Sequence, residues 1–183
     1  MFCDLVGSTA LSEQLTPCSY LKVLKAYQEL CTLIIQDNEG YVAQPLGDGL
    51  LVYFGYPFIQ PDDATRAVKS ALEIVIAIQQ LEQELSLELA ARVGIATGRV
   101  LMGKMGPEYN SEWLAIGVIP NIAARLQSLA ASNSVVCCPK TYQLVSQDID
   151  CQFLVQKNLN CQSLGERSLK GISKKMEVYQ VST

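Results

Sequence analysis

Two carboxylates stand where a chain can offer them to a cation. Asp48 lies between glycines in Gly47-Asp48-Gly49, and Asp4 closes a short apolar run that leads through Gly7 into Ser8-Thr9. A carboxylate on a tight turn points away from the pleat that buries its neighbours, and a hard divalent cation prefers such oxygen ligands. A strand-terminal Asp followed by a helix start also suits phosphate, because the backbone N–H groups of the first turn face anionic oxygens while the carboxylate holds the cation between them. Two such carboxylates on adjacent strands could bridge a pair of magnesium ions, the arrangement of two-metal phosphoryl chemistry. Taken singly, an Asp in such a turn is usually just a turn residue. Further along, Asn121 and Arg125 are four residues apart and share a helical face. Arg125 offers several donors to phosphate oxygens; by themselves, a capping Asn and a surface Arg account for the pair as well. Lys170, just before Gly171, is by itself a solvated charge.

The composition narrows the chemistry. The 183 residues contain no histidine, which removes Ser-His-Asp and Cys-His catalysis, zinc–histidine sites and histidine bases together. Carboxylates, metals, Arg, Lys, Asn and backbone remain. A net charge of −4 argues against a general binder of nucleic acid or anionic membrane. Any site for an anionic nucleotide must therefore be made locally. The seven cysteines are odd in number and form no C-x-x-C pair, so they read as buried or incidental thiols of a reducing cytoplasm. No apolar run reaches bilayer length, and Asp4 stands where a signal peptide would carry positive charge.

The elements that must position these residues follow from pattern. A strand ends at residue 5, with almost nothing before it. Ser8 caps a short helix to about Leu15, and Thr16-Pro17 opens a longer one, proline being harmless where its N–H has no partner to lose. Leu21, Leu24, Tyr27, Leu30, Cys31 and Ile34 recur at three- and four-residue spacing and predict its apolar face. Tyr41-Val42-Ala43 and Leu50 to Phe54 flank the Gly-Asp-Gly turn as a hairpin. A helix then runs to about Glu84, burying Ala67, Ala71, Ile74, Ile78 and Leu81. Strands are predicted at Leu89–Ala96 and Val100–Gly103, a loop over 104–112, a short apolar run at Leu114-Ala115-Ile116, a helix from Asn121 behind Pro120, a strand at Val135–Cys138, a short helix over 139–146, and up to three strands ending near Val181. No repeat or linker interrupts the pattern. One α+β domain over residues 1–183 results, with helices packed on a mostly antiparallel sheet.

In this order, Phe2-Cys3-Asp4-Leu5-Val6-Gly7-Ser8-Thr9, Leu46-Gly47-Asp48-Gly49, Val93-Gly94-Ile95-Ala96-Thr97-Gly98 and Asn121-Ile122-Ala123-Ala124-Arg125-Leu126 closely resemble the catalytic domain of the class III adenylate/guanylate cyclases. The resemblance covers essentially the whole chain and lacks only the front of the first strand. It is nearest to bacterial soluble cyclases, in which the domain often heads a longer multidomain signalling protein.

That resemblance implies a ferredoxin-like cyclase fold and a head-to-tail homodimer with its sites at the interface. Asp4 and Asp48 match the two aspartates that hold two Mg2+ or Mn2+ ions, with the Leu5 carbonyl as an added ligand. Asn121 matches the residue that orients the ribose, Arg125 the one that stabilises charge developing at the α-phosphate, and Lys170 the lysine on the terminal phosphates. The last three would come from the partner subunit. The expected reaction converts ATP, preferred over GTP, to 3′,5′-cyclic AMP and pyrophosphate; the alternative is a cyclase-like dimerisation or nucleotide-sensing module with little turnover. The chain departs from the family at the base. Gln44 stands where a purine-selecting lysine is usual, and Leu114 where its acidic or threonine partner is usual, so Gln44 is the expected side-chain contact to the base.

Overall fold

The structure is a computed structural model and describes residues 1–106, 112–148 and 160–182. Its frame is a seven-stranded sheet in the order β2-β3-β1-β4-β7-β9-β8, where β1 is Phe2–Leu5, β2 Tyr41–Leu46, β3 Gly49–Tyr53, β4 Ala91–Ile95, β7 Ser134–Cys137, β8 Asn160–Arg167 and β9 Met176–Ser182. Among the described residues only β4 and β7 pair in parallel; the other neighbours are antiparallel. A separate two-stranded ribbon joins β5 (Leu101–Met105) to β6 (Glu112–Ile116). Five helices complete the described residues: α1 Ser8–Gln14, α2 Pro17–Asp37, α3 Asp63–Leu85, α4 Val118–Leu129 and α5 Pro139–Gln147.

The main core lies between the sheet and α2 and α3. Central strands are buried on both faces, and β3, β4 and β7 are accordingly almost continuous apolar runs. The predicted face of α3 packs into this core. That of α2 is rotated slightly: Val23, Tyr27, Cys31 and Ile35 are buried, while Leu21 is exposed. A stripe that fits helical spacing on paper leaves its first residue off the core, because the buried line is the one four residues apart from Val23. A second, smaller cluster, with Ile122, Leu126, Val136 and Val178, sits beneath α4 on the other face of the sheet.

Several boundaries differ from the expectations. Ser8 lies inside α1, and the residue before the helix is Gly7 at φ 71°; a left-handed backbone there favours glycine. The strand expected at Val100–Gly103 extends to Met105, and Glu112 begins β6, so Lys104, Met105 and Glu112 of the predicted loop over 104–112 are ribbon, while residues 107–111 lie outside the described residues. Lys104 and Met105 pair with Trp113 and Glu112 across it. Helix α4 begins at Val118, three residues before Asn121, with Gly117 as its N-cap. Pro120 is tolerated there because the first-turn N–H groups have no intrahelical partner to lose. Of the strands expected near the end, β8 and β9 lie among the described residues. One expected cysteine, Cys151, lies outside them; Cys3, Cys31, Cys137 and Cys138 are buried as expected, and Cys18 is exposed.

Candidate active site

Asp4 and Asp48 come together because β1 runs beside the hairpin. Asp4 pairs with Gly49, the residue after Asp48, and Leu5 N donates to Asp48 O at 3.4 Å. The hairpin closes through Gly47 and Asp48 alone, with the left-handed φ of 66° at Gly47. Two-residue hairpins require such a conformation, and glycine supplies it without strain. The turn is then pinned from two sides. Gln28 of α2 donates to Gly47 O at 2.9 Å, and the Ser8 hydroxyl donates to Asp48 Oδ2. Ser8 therefore serves the aspartate rather than capping its own helix.

Asp4 is held by groups that sequence reasoning did not single out. Arg92 of β4, its register partner, donates Nη2–H to Asp4 Oδ2 at 2.9 Å, and Gln127 of α4 donates Nε2–H to the same oxygen at 2.8 Å. Burial pushes the Asp4 carboxyl above its ordinary range. The Arg92 hydrogen bond acts against that rise, and the nearby Asp48 charge adds to it. The overlooked signals were a lone charge in the apolar run Ala90 to Ile95 and a polar residue on the buried side of α4. Both patterns point to a buried partner, since Arg is almost never buried unpaired.

The donor set suits a hard cation. The Asp48 charge lies close enough to the half-buried Asp4 carboxyl to raise its proton affinity, a repulsion that a divalent ion relieves. No group of three or more His, Cys, Asp or Glu side chains forms among the described residues. Magnesium is compatible with that, because it is commonly held by one or two carboxylates plus waters and substrate phosphates. Leu5, buried at the end of β1, follows Asp4 in the chain, and its N–H donates to Asp48 O.

Asn121, Arg125 and Lys170 form a second group. Asn121 and Arg125 are exposed one turn apart on α4, and Arg125 Nε–H donates to Lys170 O at 3.2 Å. Lys170 is exposed beside the buried anchor Leu169. At 3.6 residues per turn Arg125 stands roughly 200° around the helix from Gln127. Gln127 faces the sheet and Asp4; Arg125 faces outward. One chain thus presents its aspartates and its Asn-Arg-Lys group on different surfaces. Gln44, opposite Leu51 beyond a bulge in β2, and Leu114 on β6 are both half-buried, and their strands pack against each other. The ribbon is tied to the sheet by Ala115 N donating to Tyr53 Oη at 2.9 Å. A cavity of about 550 Å³ opens beside Met1, Phe54, Thr97 and Ile119, and none of the candidate residues line it.

Comparison with known proteins gives one answer. The family described as the adenylate and guanylate cyclase catalytic domain matches residues 1–183. Among curated relatives, Adenylate cyclase 1 of Rhizobium meliloti is 25% identical over 99% of this chain. The chain spans 27% of that relative's length, and 17% to 24% of others. Among solved structures, the adenylyl cyclase CyaB of P. aeruginosa superposes with a TM-score of 0.90 at 27% identity, covering 100% of this chain and 91% of its own. The guanylate cyclase domain of RhGC from Catenaria anguillulae, solved with GTP, does so with 0.87 at 25%, covering 100% and 93%.

Proposed function

Because the chain belongs to the adenylate and guanylate cyclase catalytic-domain family, we propose that it converts ATP to 3′,5′-cyclic AMP and pyrophosphate at a site shared between two copies of itself. One observation carries this reading: the aspartate pair and the Asn121-Arg125-Lys170 group occupy different surfaces of one chain, so a complete site needs the aspartates of one copy and the helix α4 of another.

In that composite site Asp4, Asp48 and the Leu5 carbonyl would hold two Mg2+ or Mn2+ ions. Bound there, the ions would favour ionisation of the ribose 3′-hydroxyl and neutralise the triphosphate. The chain's own residues supply position and charge. Ser8 fixes the Asp48 carboxylate, and Arg92 and Gln127 fix that of Asp4. From the partner, Asn121 orients the ribose, and the Arg125 guanidinium faces the α-phosphate, where negative charge grows as the 3′-oxygen attacks and pyrophosphate leaves. Lys170, whose backbone already anchors Arg125, meets the terminal phosphates. Phosphoryl transfer by positioning and electrostatics requires no histidine, in keeping with a chain that has none.

Gln44 offers a donor and an acceptor to a base edge, while Leu114 offers only an apolar wall. The choice of ATP is supported by the adenylyl cyclases among the relatives; guanylyl cyclases also stand among the neighbours. The test is product analysis of the purified chain given ATP or GTP in excess manganese. Cyclic AMP with equimolar pyrophosphate is expected. Cyclic GMP alone would keep the chemistry and overturn the substrate, and no cyclic product from a folded dimer would overturn the enzymatic reading.

A further inference from the structure

The buried amide beneath α4 has a role that packing does not require. We infer that Gln127 is a positioning residue for metal binding: by holding Asp4 Oδ2 it presents Oδ1 to the cation and sets the distance between α4 and β1. The inference rests on the nucleotide-cyclase reading above.

Two donors, Gln127 Nε2 at 2.8 Å and Arg92 Nη2 at 2.9 Å, converge on the one oxygen of Asp4. Among the described residues no side chain donates to Oδ1. A carboxylate held at one oxygen by two fixed donors has lost most of its rotational freedom before a ligand arrives, which is how outer groups orient metal-binding side chains.

The position itself favours an apolar residue. Ile122, Ala123 and Leu126 surround it on the buried face of α4, and a buried amide costs free energy unless it is satisfied. Gln127 Nε2–H is satisfied by Asp4, while Ser128 Oγ, which donates to Ala124 O at 3.0 Å, lies 3.4 Å from Gln127 Oε1.

The backbone is shaped to bring it there. A Cβ on Gly94 would lie 2.2 Å from Gln127 N and 2.3 Å from Ala123 O. Only a glycine in β4 lets α4 sit low enough for the Gln127 amide to reach across to β1. The same helix carries Asn121 and Arg125 on its outer face. Gln127 therefore links the residues that a copy offers to its partner's site with the carboxylate of its own.

Gln127→Met keeps length and volume and removes the donor. Manganese binding, followed by electron paramagnetic resonance of the free ion, is compared for the native chain, Gln127→Met and Asp48→Ala. Loss of such an outer partner weakens metal affinity by about tenfold or more, so the Gln127→Met dissociation constant should rise by that factor. The manganese dependence of turnover should shift in parallel, while the KM for nucleotide at saturating metal stays within about twofold. Unchanged manganese binding by folded Gln127→Met would overturn the inference. So would failure of both Gln127→Met and Gln127→Leu to fold, since the residue would then be a structural one. Manganese binding by the native chain that Asp48→Ala leaves unaltered would instead overturn the underlying assignment of the aspartates.

Discussion

Asp48→Ala is expected to abolish measurable turnover while leaving the fold in place. The carboxylate is one of two that would hold both ions, and metal ions stabilise phosphoryl-transfer transition states by several kcal/mol. A loss of about 4 kcal/mol lowers kcat by on the order of 10³-fold. The structural cost is small. Asp48 is half-buried on a two-residue turn and, among the described residues, its side chain accepts one hydrogen bond, from Ser8. Gly47 retains the conformation that closes the hairpin, and Gln28 still anchors its carbonyl. Circular dichroism and Tm should therefore remain close to native, with kcat in manganese as the readout. Turnover within tenfold of native would return Asp48 to the role of a turn residue.

Arg125→Ala is the second large effect. A guanidinium that meets charge developing only as the 3′-oxygen attacks contributes to the transition state more than to the bound substrate, so its removal should appear in kcat. Losing one preorganised donor of this kind costs roughly 10²–10³-fold. The KM should change only a few-fold. The competing explanation is local: Arg125 is exposed and, among the described residues, its one side-chain hydrogen bond goes to Lys170 O. If that bond is its whole purpose, Arg125→Ala would alter the Lys170 loop and raise KM with kcat unaltered. The split between the two constants decides between these roles.

How much of this was legible in the sequence depends on the range over which each feature is determined. The hairpin around Asp48 was readable because turn chemistry is local: Gly-Asp-Gly between β-rich runs leaves few alternatives. The long helices were readable from period, although the burial of α2 shifted away from Leu21 toward Val23 and Ile35 once the sheet selected which line of residues it would cover. The β5–β6 ribbon was partly misread as loop because Lys104 and Glu112 are polar, and a ribbon standing apart from the main sheet has no buried face to enforce alternation. At the candidate site, Asp4, Asp48, Asn121 and Arg125 were weak signals singly and stood out through the ordered motifs that resemble the cyclase family. Arg92, Gln127 and Ser8 did not, because their importance lies in register: β1 against β4, α4 over Gly94, α1 against the hairpin. No residue type marks such a partner until the strands are aligned.

The shared site itself is open to one direct measurement. Asp48→Ala and Arg125→Ala chains are co-expressed, and the mixed dimers are assayed beside each variant alone. In a heterodimer, one site combines both damaged halves and the other combines both intact halves. With random pairing in a two-fold dimer, about a quarter of native sites are therefore restored. The account predicts activity near that fraction from two chains that are each inactive. Mixed dimers that form and fold yet stay as inactive as the single variants would contradict it, because the aspartates and Arg125 would then have to act within one chain.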